Sequence, residues 1–308
     1  MTDLFRGALY VKKTDAGWAP MRFTDEAIAV WTSHREGWRI RSQATSAISL
    51  AFATDADVIR MPFTAVGFSR PFLGFDVYEN GVLTAHILYP DNTPEGTLEY
   101  KCRAQGEKTV EIYLSCLCQI IVGGLEAGNV RPLPQPAHRT LFIGDSITQG
   151  MTVRCPSLIY PVLYCRKKGQ QPIDLGVGGG MFESWQLDYL PDFHPSDIFV
   201  AYGINDLAHG EPNDVLLPRA EEFLEKLRGI HPDVPAAVIT PLWNKMMEDR
   251  PGFPAVYAEY CTALAGIARK YGYRVVDGER LLPFDRRHTV DGTHPNEEGS
   301  ALIALGLL

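Results

Sequence analysis

The chain is short of several things that would each have marked a class of protein. Six cysteines in 308 residues, at 102, 116, 118, 155, 165 and 261, are too few for a disulfide framework at this size. None of their spacings is that of a zinc site, and no His-x-x-x-His pair is present, so no metal is expected. The thiols read as reduced, mostly buried, small apolar side chains. Basic residues are outnumbered, 29 against 37 acidic ones, and the net charge of -8 is relieved by no basic run longer than Arg166-Lys167-Lys168. A nucleic-acid partner is therefore not expected. No window of membrane-spanning length is free of charge, and residues 1–10 lack the basic and apolar regions of a signal peptide. These absences lead us to expect a cytoplasmic protein with no membrane partner. Internal repeats and low-complexity tracts are absent too.

What is there is ordinary globular composition, 45% hydrophobic and 21% charged, in a chain long enough for two domains. Over residues 1–131 short apolar segments alternate with turn signals and no long helical pattern stands out, which is the texture of an all-β sandwich. Segments 47–52 and 58–61 flank the turn-like Thr54-Asp55-Ala56-Asp57. Segments 74–78 and 82–89 flank Asn80-Gly81, a strong hairpin signal, and 109–122 has room for two more strands. The stretch 132–138, with prolines at 132, 134 and 136, cannot belong to a central strand or a helix interior and marks a linker.

From 139 to 308 the pattern changes to strands alternating with helices, which implies parallel βαβ units in a three-layer α/β/α domain. Strands are expected over 140–143, 172–177, 197–202, 236–241 and 273–277, and helices near 152–168, 181–190, 213–229, 254–271 and 296–307. The clearest helix repeats Tyr257, Tyr260, Cys261, Leu264, Ile267, Ala268 and Tyr271 at three- and four-residue steps.

The apolar run 140–143 stops at Gly144, and Ser146 follows where a helix should begin. In an open parallel sheet that is the ligand-binding edge, and unpaired helix N–H groups there favour an oxyanion. The next two strands are followed by the glycine run 176–180 (interrupted only by Val177) and by Gly203-Ile204-Asn205-Asp206, so all three turns open on one edge. A serine, a glycine whose backbone N–H a ligand can approach, and an Asn amide are what an acyl-transfer site needs around a tetrahedral oxyanion. Just before the last expected helix, Asp291-Gly292-Thr293-His294 has the spacing for Asp291 to orient His294, which then faces Ser146 as general base. Each piece alone also reads as ordinary structure: a tight turn, a helix cap, a surface loop.

Together these residues resemble the SGNH subgroup of the GDSL hydrolases. Gly144-Asp145-Ser146-Ile147-Thr148 resembles the nucleophile block, Gly203-Ile204-Asn205-Asp206 the Gly-x-Asn-Asp block, and Asp291-Gly292-Thr293-His294 the Asp-x-x-His block. Gly179, flanked by Gly178 and Gly180, falls where the oxyanion glycine is expected. The resemblance implies a flavodoxin-like fold and cofactor-free hydrolysis of esters, with Ser146, His294 and Asp291 catalytic and Ser146, Gly179 and Asn205 forming the oxyanion hole. Residues 1–131 resemble, more loosely, the jelly-roll-like sandwich that precedes this domain in certain carbohydrate esterases.

A second Asp-x-x-His, Asp206 to His209, competes for the base, but Asp206 belongs to the turn presenting Asn205. Metal binding by His288, His294 and Asp285 or Asp291 is a further rival that lacks the usual ligand spacing. Trp243 and Asn244 follow the fourth strand and are candidates to border the substrate. With no apolar insertion to form a lid or acyl tunnel, the expected substrate is a short acyl ester, acetate on a carbohydrate foremost, whether a small molecule or an oligosaccharide. Lysophospholipase, thioesterase, aryl esterase and acyltransferase chemistry at the same site are the alternatives.

Overall fold

The computed structural model describes all residues from Met1 to Leu308. Two antiparallel sheets come first and a five-stranded parallel sheet follows. One antiparallel sheet runs in the order Phe5–Arg6, Ser49–Thr54, Lys108–Tyr113, Leu73–Glu79, Val82–Tyr89, with Arg131–Pro132 also on Ser49–Thr54. The other runs Tyr10–Thr14, Gly17–Met21, Gln119–Val122, Val58–Val66, Glu95–Lys101. Their inward residues, among them Phe52, Met61, Phe75, Leu98, Ile112 and Ile120, form one buried core.

The hairpin expected at Asn80-Gly81 is present, with both residues at positive φ and Leu73–Glu79 paired to Val82–Tyr89. Residues 55–57 instead carry the chain from one sheet to the other, since Ser49–Thr54 and Val58–Val66 lie in different sheets. Two helices that the sequence did not announce stand between strands of the sandwich: α1, Asp25–His34, and α2, Glu36–Gln43. Thr24 caps α1 by accepting the Ala27 N–H at 3.1 Å, and Asp25 and Glu26 suit its positive end. At eight residues α2 buries only Trp38 and Ser42, too short a stripe to show as periodicity.

In the parallel sheet we label Arg139–Gly144 β1, the following Ser146–Gln149 helix α3, Gln171–Asp174 β2, Asp197–Ala201 β3, Ala236–Ile239 β4 and Arg274–Val276 β5. The strand order is β2-β1-β3-β4-β5, the flavodoxin-like order, whose switch point lies between β1 and β3. Alternate residues feed opposite layers. Leu141, Ile143, Ile198, Val200 and Val238 meet helices Asn213–Ile230 and Phe253–Lys270, while Phe142, Phe199, Ala237 and Ile239 meet Tyr160–Lys168 and Glu297–Leu307. The first of these layers also takes in Trp31 and Trp38, so α1 and α2 join the core of the parallel-sheet domain.

Two expected helices are shorter than their patterns. Only Tyr160–Lys168 of the first is α-helical, preceded by a 3-10 turn at Pro156–Leu158, and 181–190 holds a 3-10 segment, Ser184–Tyr189. Pro156 and Pro161 explain the first, because each lacks the N–H that a preceding helical turn would bind. No helix is long and apolar enough to cross a membrane.

Candidate active site

Strand β1 must end in bare backbone. A Cβ on Gly144 would stand 2.1 Å from Thr148 Oγ1, so only glycine lets the chain turn this sharply into α3. Asp145 caps that helix, its carboxylate accepting the Ile147 N–H at 2.9 Å. Burial pushes the Asp145 carboxyl up to about 6, against the pull of that N–H and of His294. Ser146 is then the first residue of α3, and its hydroxyl meets His294 Nε2 at 2.9 Å.

His294 is held by its own turn. Asp291 Oδ1 accepts the N–H groups of Thr293 and His294 at 3.0 and 2.9 Å, and Oδ2 lies 2.8 Å from Nδ1. An ionised carboxylate only accepts, so Nδ1 carries a proton and Nε2 can accept from Ser146. Burial opposes ionisation of Asp291, yet the bonds from His294 and the two N–H groups hold its pKa well below the carboxylate range. The turn is fixed from outside by Lys245 N–H on Gly292 O at 2.7 Å and by Thr152 Oγ1 on Pro295 O at 2.9 Å.

The other two turns converge on the same edge. Gly179 sits in the left-handed region at φ +81, where a side chain would strain the backbone. Asn205 Nδ2 donates to Asp145 Oδ2 at 3.2 Å and to Gly180 O at 3.0 Å, which ties the three turns together. Asp206 is buried, takes the Phe182 N–H on one oxygen and leaves the other without a partner. Burial raises its carboxyl to about 7, and nearby Asp145 and Glu183 add to the rise.

The remaining candidates lie elsewhere. His209 is exposed and meets Arg35 at 3.4 Å. Of the possible metal ligands, Asp285 is spent on Arg287, and His288 lies 3.7 Å from Glu298. Trp243 is buried edge-on against Phe284, with ring centroids 4.2 Å apart, and buried Asn244 accepts the Met246 N–H. Both precede Lys245, whose N–H is the one that bonds Gly292 O in the turn carrying His294.

Sequence reading missed the wall that the N-terminal region builds here. Arg22, almost wholly buried, donates to Ala44 O, Asp174 O, Gly176 O and Arg41 O at 2.7 to 2.9 Å and lies 3.8 Å from Asp174 Oδ1. It thereby clamps the end of α2 onto the glycine turn. Arg41 reaches further and donates to Gly178 O at 2.6 Å. No local pattern marks these residues, because their partners in the glycine turn lie 137 to 154 positions away.

A serine, a turn glycine, an asparagine and a histidine brought to the carboxyl edge of a flavodoxin-like sheet define the SGNH class of hydrolase domain, here behind a β-sandwich. Residues 142–302, just over half of the chain, match the model of the GDSL-like lipase/acylhydrolase family, and the chain belongs to that family. Among curated proteins none matches it. The fold is similar to that of a salicylyl-acyltransferase from a tetracycline biosynthetic pathway, at 21% identity and TM-score 0.84 over 98% of this chain and 92% of that one. It is similar also to a putative GDSL-like lipase from Bacteroides ovatus, at 18% identity and TM-score 0.79 over 99% and 93% of the two chains. A family two carbohydrate esterase from Clostridium thermocellum, whose structure holds cellohexaose, aligns at 13% identity and TM-score 0.68 over 86% and 91%. At these identities the likeness is one of fold.

Proposed function

We propose that the protein is a serine esterase that removes short acyl groups, acetyl foremost, from carbohydrate esters. The observation that carries this reading is the continuous chain from Ser146 Oγ through His294 to Asp291, with bonds of 2.9 and 2.8 Å. Ser146 attacks the ester carbonyl and His294 takes its proton. The same imidazolium then protonates the departing alcohol, and water deacylates the serine by the reverse path. Negative charge on the carbonyl oxygen is received by the N–H groups of Ser146 and Gly179 and by the Asn205 amide, each worth about 3 kcal/mol of barrier. Both Asn205 amide protons already have acceptors, so its part begins with release of the Gly180 carbonyl.

An apolar cavity lies beside the nucleophile turn, and its small size supports the short-acyl preference. Its lining includes Ile147, Ile204, Ile239, Leu242 and Ile303, and it offers about 20 Å³, on the scale of a single water. We also propose that residues 1–131 form an accessory sandwich, 132–138 a linker and 139–308 the hydrolase domain, with α1 and α2 reaching from the first to the last. Transfer of the acyl group to an acceptor alcohol is the second reading, and the fold shared with an acyltransferase over nearly the whole chain favours considering it.

A fluorophosphonate should label Ser146 and nothing in Ser146→Ala. kcat/KM should fall from p-nitrophenyl acetate to the octanoate, and acetate should be released from acetylated xylo- or manno-oligosaccharides. Labelling that survives Ser146→Ala removes the site assignment; preference for octanoate with no release from any sugar removes the carbohydrate reading. Alcohols added as acceptors separate transfer from hydrolysis.

A further inference from the structure

An acidic chain has little reason to gather arginines, yet Arg35 and Arg41 reach the candidate oxyanion turns without a carboxylate partner, and Arg70 is close enough for its charge to act on Arg41. Arg41 Nη1 donates to Gly178 O, and a Cβ on Gly179 would stand 2.9 Å from it. Arg35 opens α2 and reaches His209, just past the turn that presents Asn205, with its guanidinium 5.2 Å from the Trp38 ring. The side-chain hydrogen bond of Arg70, which comes from the sandwich, goes to its own neighbour's carbonyl, Ser69 O. None of the three is paired with a carboxylate, whereas Arg39 on the same helix is held by Glu36 at 2.8 Å. After burial, the charges of Arg70 and Arg35 are what push the Arg41 pKa down.

A second observation points to a ligand at the same spot. The Trp38 side chain is 3% exposed, and its indole N–H is buried without any acceptor. It too is aimed at the turn, since its Nε1 would lie 3.3 Å from a Cβ on Gly179. A buried donor left unpaired costs on the order of 1–3 kcal/mol, so an acceptor arriving there is favoured. An acceptor that also carries negative charge would satisfy the arginines in the same step.

We propose that the ester substrate is anionic, bearing a carboxylate or a phosphate on its alcohol portion, and that Arg35, Arg41, Arg70 and the Trp38 indole N–H receive that group beside the oxyanion turns. This rests on the esterase reading above and narrows it to acidic sugars or other charged carriers. Neutral esters then react without the binding energy that orients the scissile bond.

Matched acetyl esters test this with the full chain: para-acetoxybenzoate and para-acetoxyphenyl phosphate against neutral para-acetoxybenzamide, each kcat/KM divided by the ester's own rate with hydroxide. At least one anionic ester should lead the neutral one by about tenfold or more, equivalent to about 1.4 kcal/mol. The lead should shrink as ionic strength rises from about 0.05 to about 0.5 M, where exposed charges are screened. It should also collapse toward one in an Arg35→Gln/Arg70→Gln double variant. Comparing ratios within each protein cancels any general loss of activity, and a lead for the carboxylate or for the phosphate names the group.

A ratio of one or less in the wild type, or one unmoved by the double substitution, overturns the inference. Binding of the product analogue para-hydroxyphenyl phosphate, or of para-hydroxybenzoate, followed by the Trp38 indole NMR signal, reads the anion site without turnover. Loss of all hydrolysis with that shift intact would sink the esterase reading alone; no shift with either would sink the anion site.

Discussion

Replacing Arg22 by Met should show how the sandwich side of the molecule supports the glycine turn. The substitution keeps much of the volume but removes four donated hydrogen bonds and the partner of buried Asp174. Burial dominates at both ends of that pair, lowering the pKa of Arg22 and raising that of Asp174 to about 6 in spite of the guanidinium. Breaking such a pair from one side costs about 3–5 kcal/mol, a large part of the about 5–15 kcal/mol that holds a domain folded. The cost depends on pH in a defined direction. An unfolded Asp titrates near about 3.9, so a carboxyl whose folded pKa is raised contributes stability that is complete at low pH and is lost as pH climbs through the folded value. Without Arg22 the Asp174 pKa rises further, because the Gly176 N–H and the Ser46 hydroxyl remain but the opposing charge does not. The deficit of Arg22→Met relative to wild type should therefore be smaller at pH about 5 and grow toward pH about 8. Urea unfolding at both values measures it, with kcat/KM on p-nitrophenyl acetate as a second readout of the loosened turn. Equal deficits at the two pH values, or a loss below about 1 kcal/mol at the higher one, would refute the buried-pair reasoning.

Three further outcomes are expected. Gly179→Ala places a side chain at φ +81 against Arg41 and Trp38, so stability should drop by about 1–2 kcal/mol and kcat/KM by about tenfold to a hundredfold, as thermal melts and steady-state rates will show. Asp206→Asn keeps an acceptor for the Phe182 N–H and removes a buried charge whose pKa stands at about 7. Melting should therefore show it more stable than wild type by about 1–3 kcal/mol near pH 8, and the gain should shrink as pH falls and vanish only below about 4, where the unfolded carboxyl is protonated as well. His294→Ala should abolish nearly all hydrolysis, whereas His209→Ala should retain most of it, and the opposite ranking would move the base.

Local chemistry determined a good deal of this protein by itself. The alternation after residue 139, the hairpin at Asn80-Gly81 and the turn residues Ser146, Asn205 and Asp291 to His294 are each specified by neighbours within a few positions, through periodicity, positive φ or an Asx turn. The parallel order of the strands then brings the turns to one edge, as connection rules require. The tertiary structure alone decided what covers that edge. Helices α1 and α2 are short, their helical signal is weak, and they are stabilised by Trp31 and Trp38 entering a core made of residues far along the chain. Arg22 and Arg41 bond backbone carbonyls beyond position 170, and any residue type offers a carbonyl, so nothing in the sequence points to those partners. The unpaired arginines are legible only in space too, since an excess charge is defined by which carboxylates are out of reach.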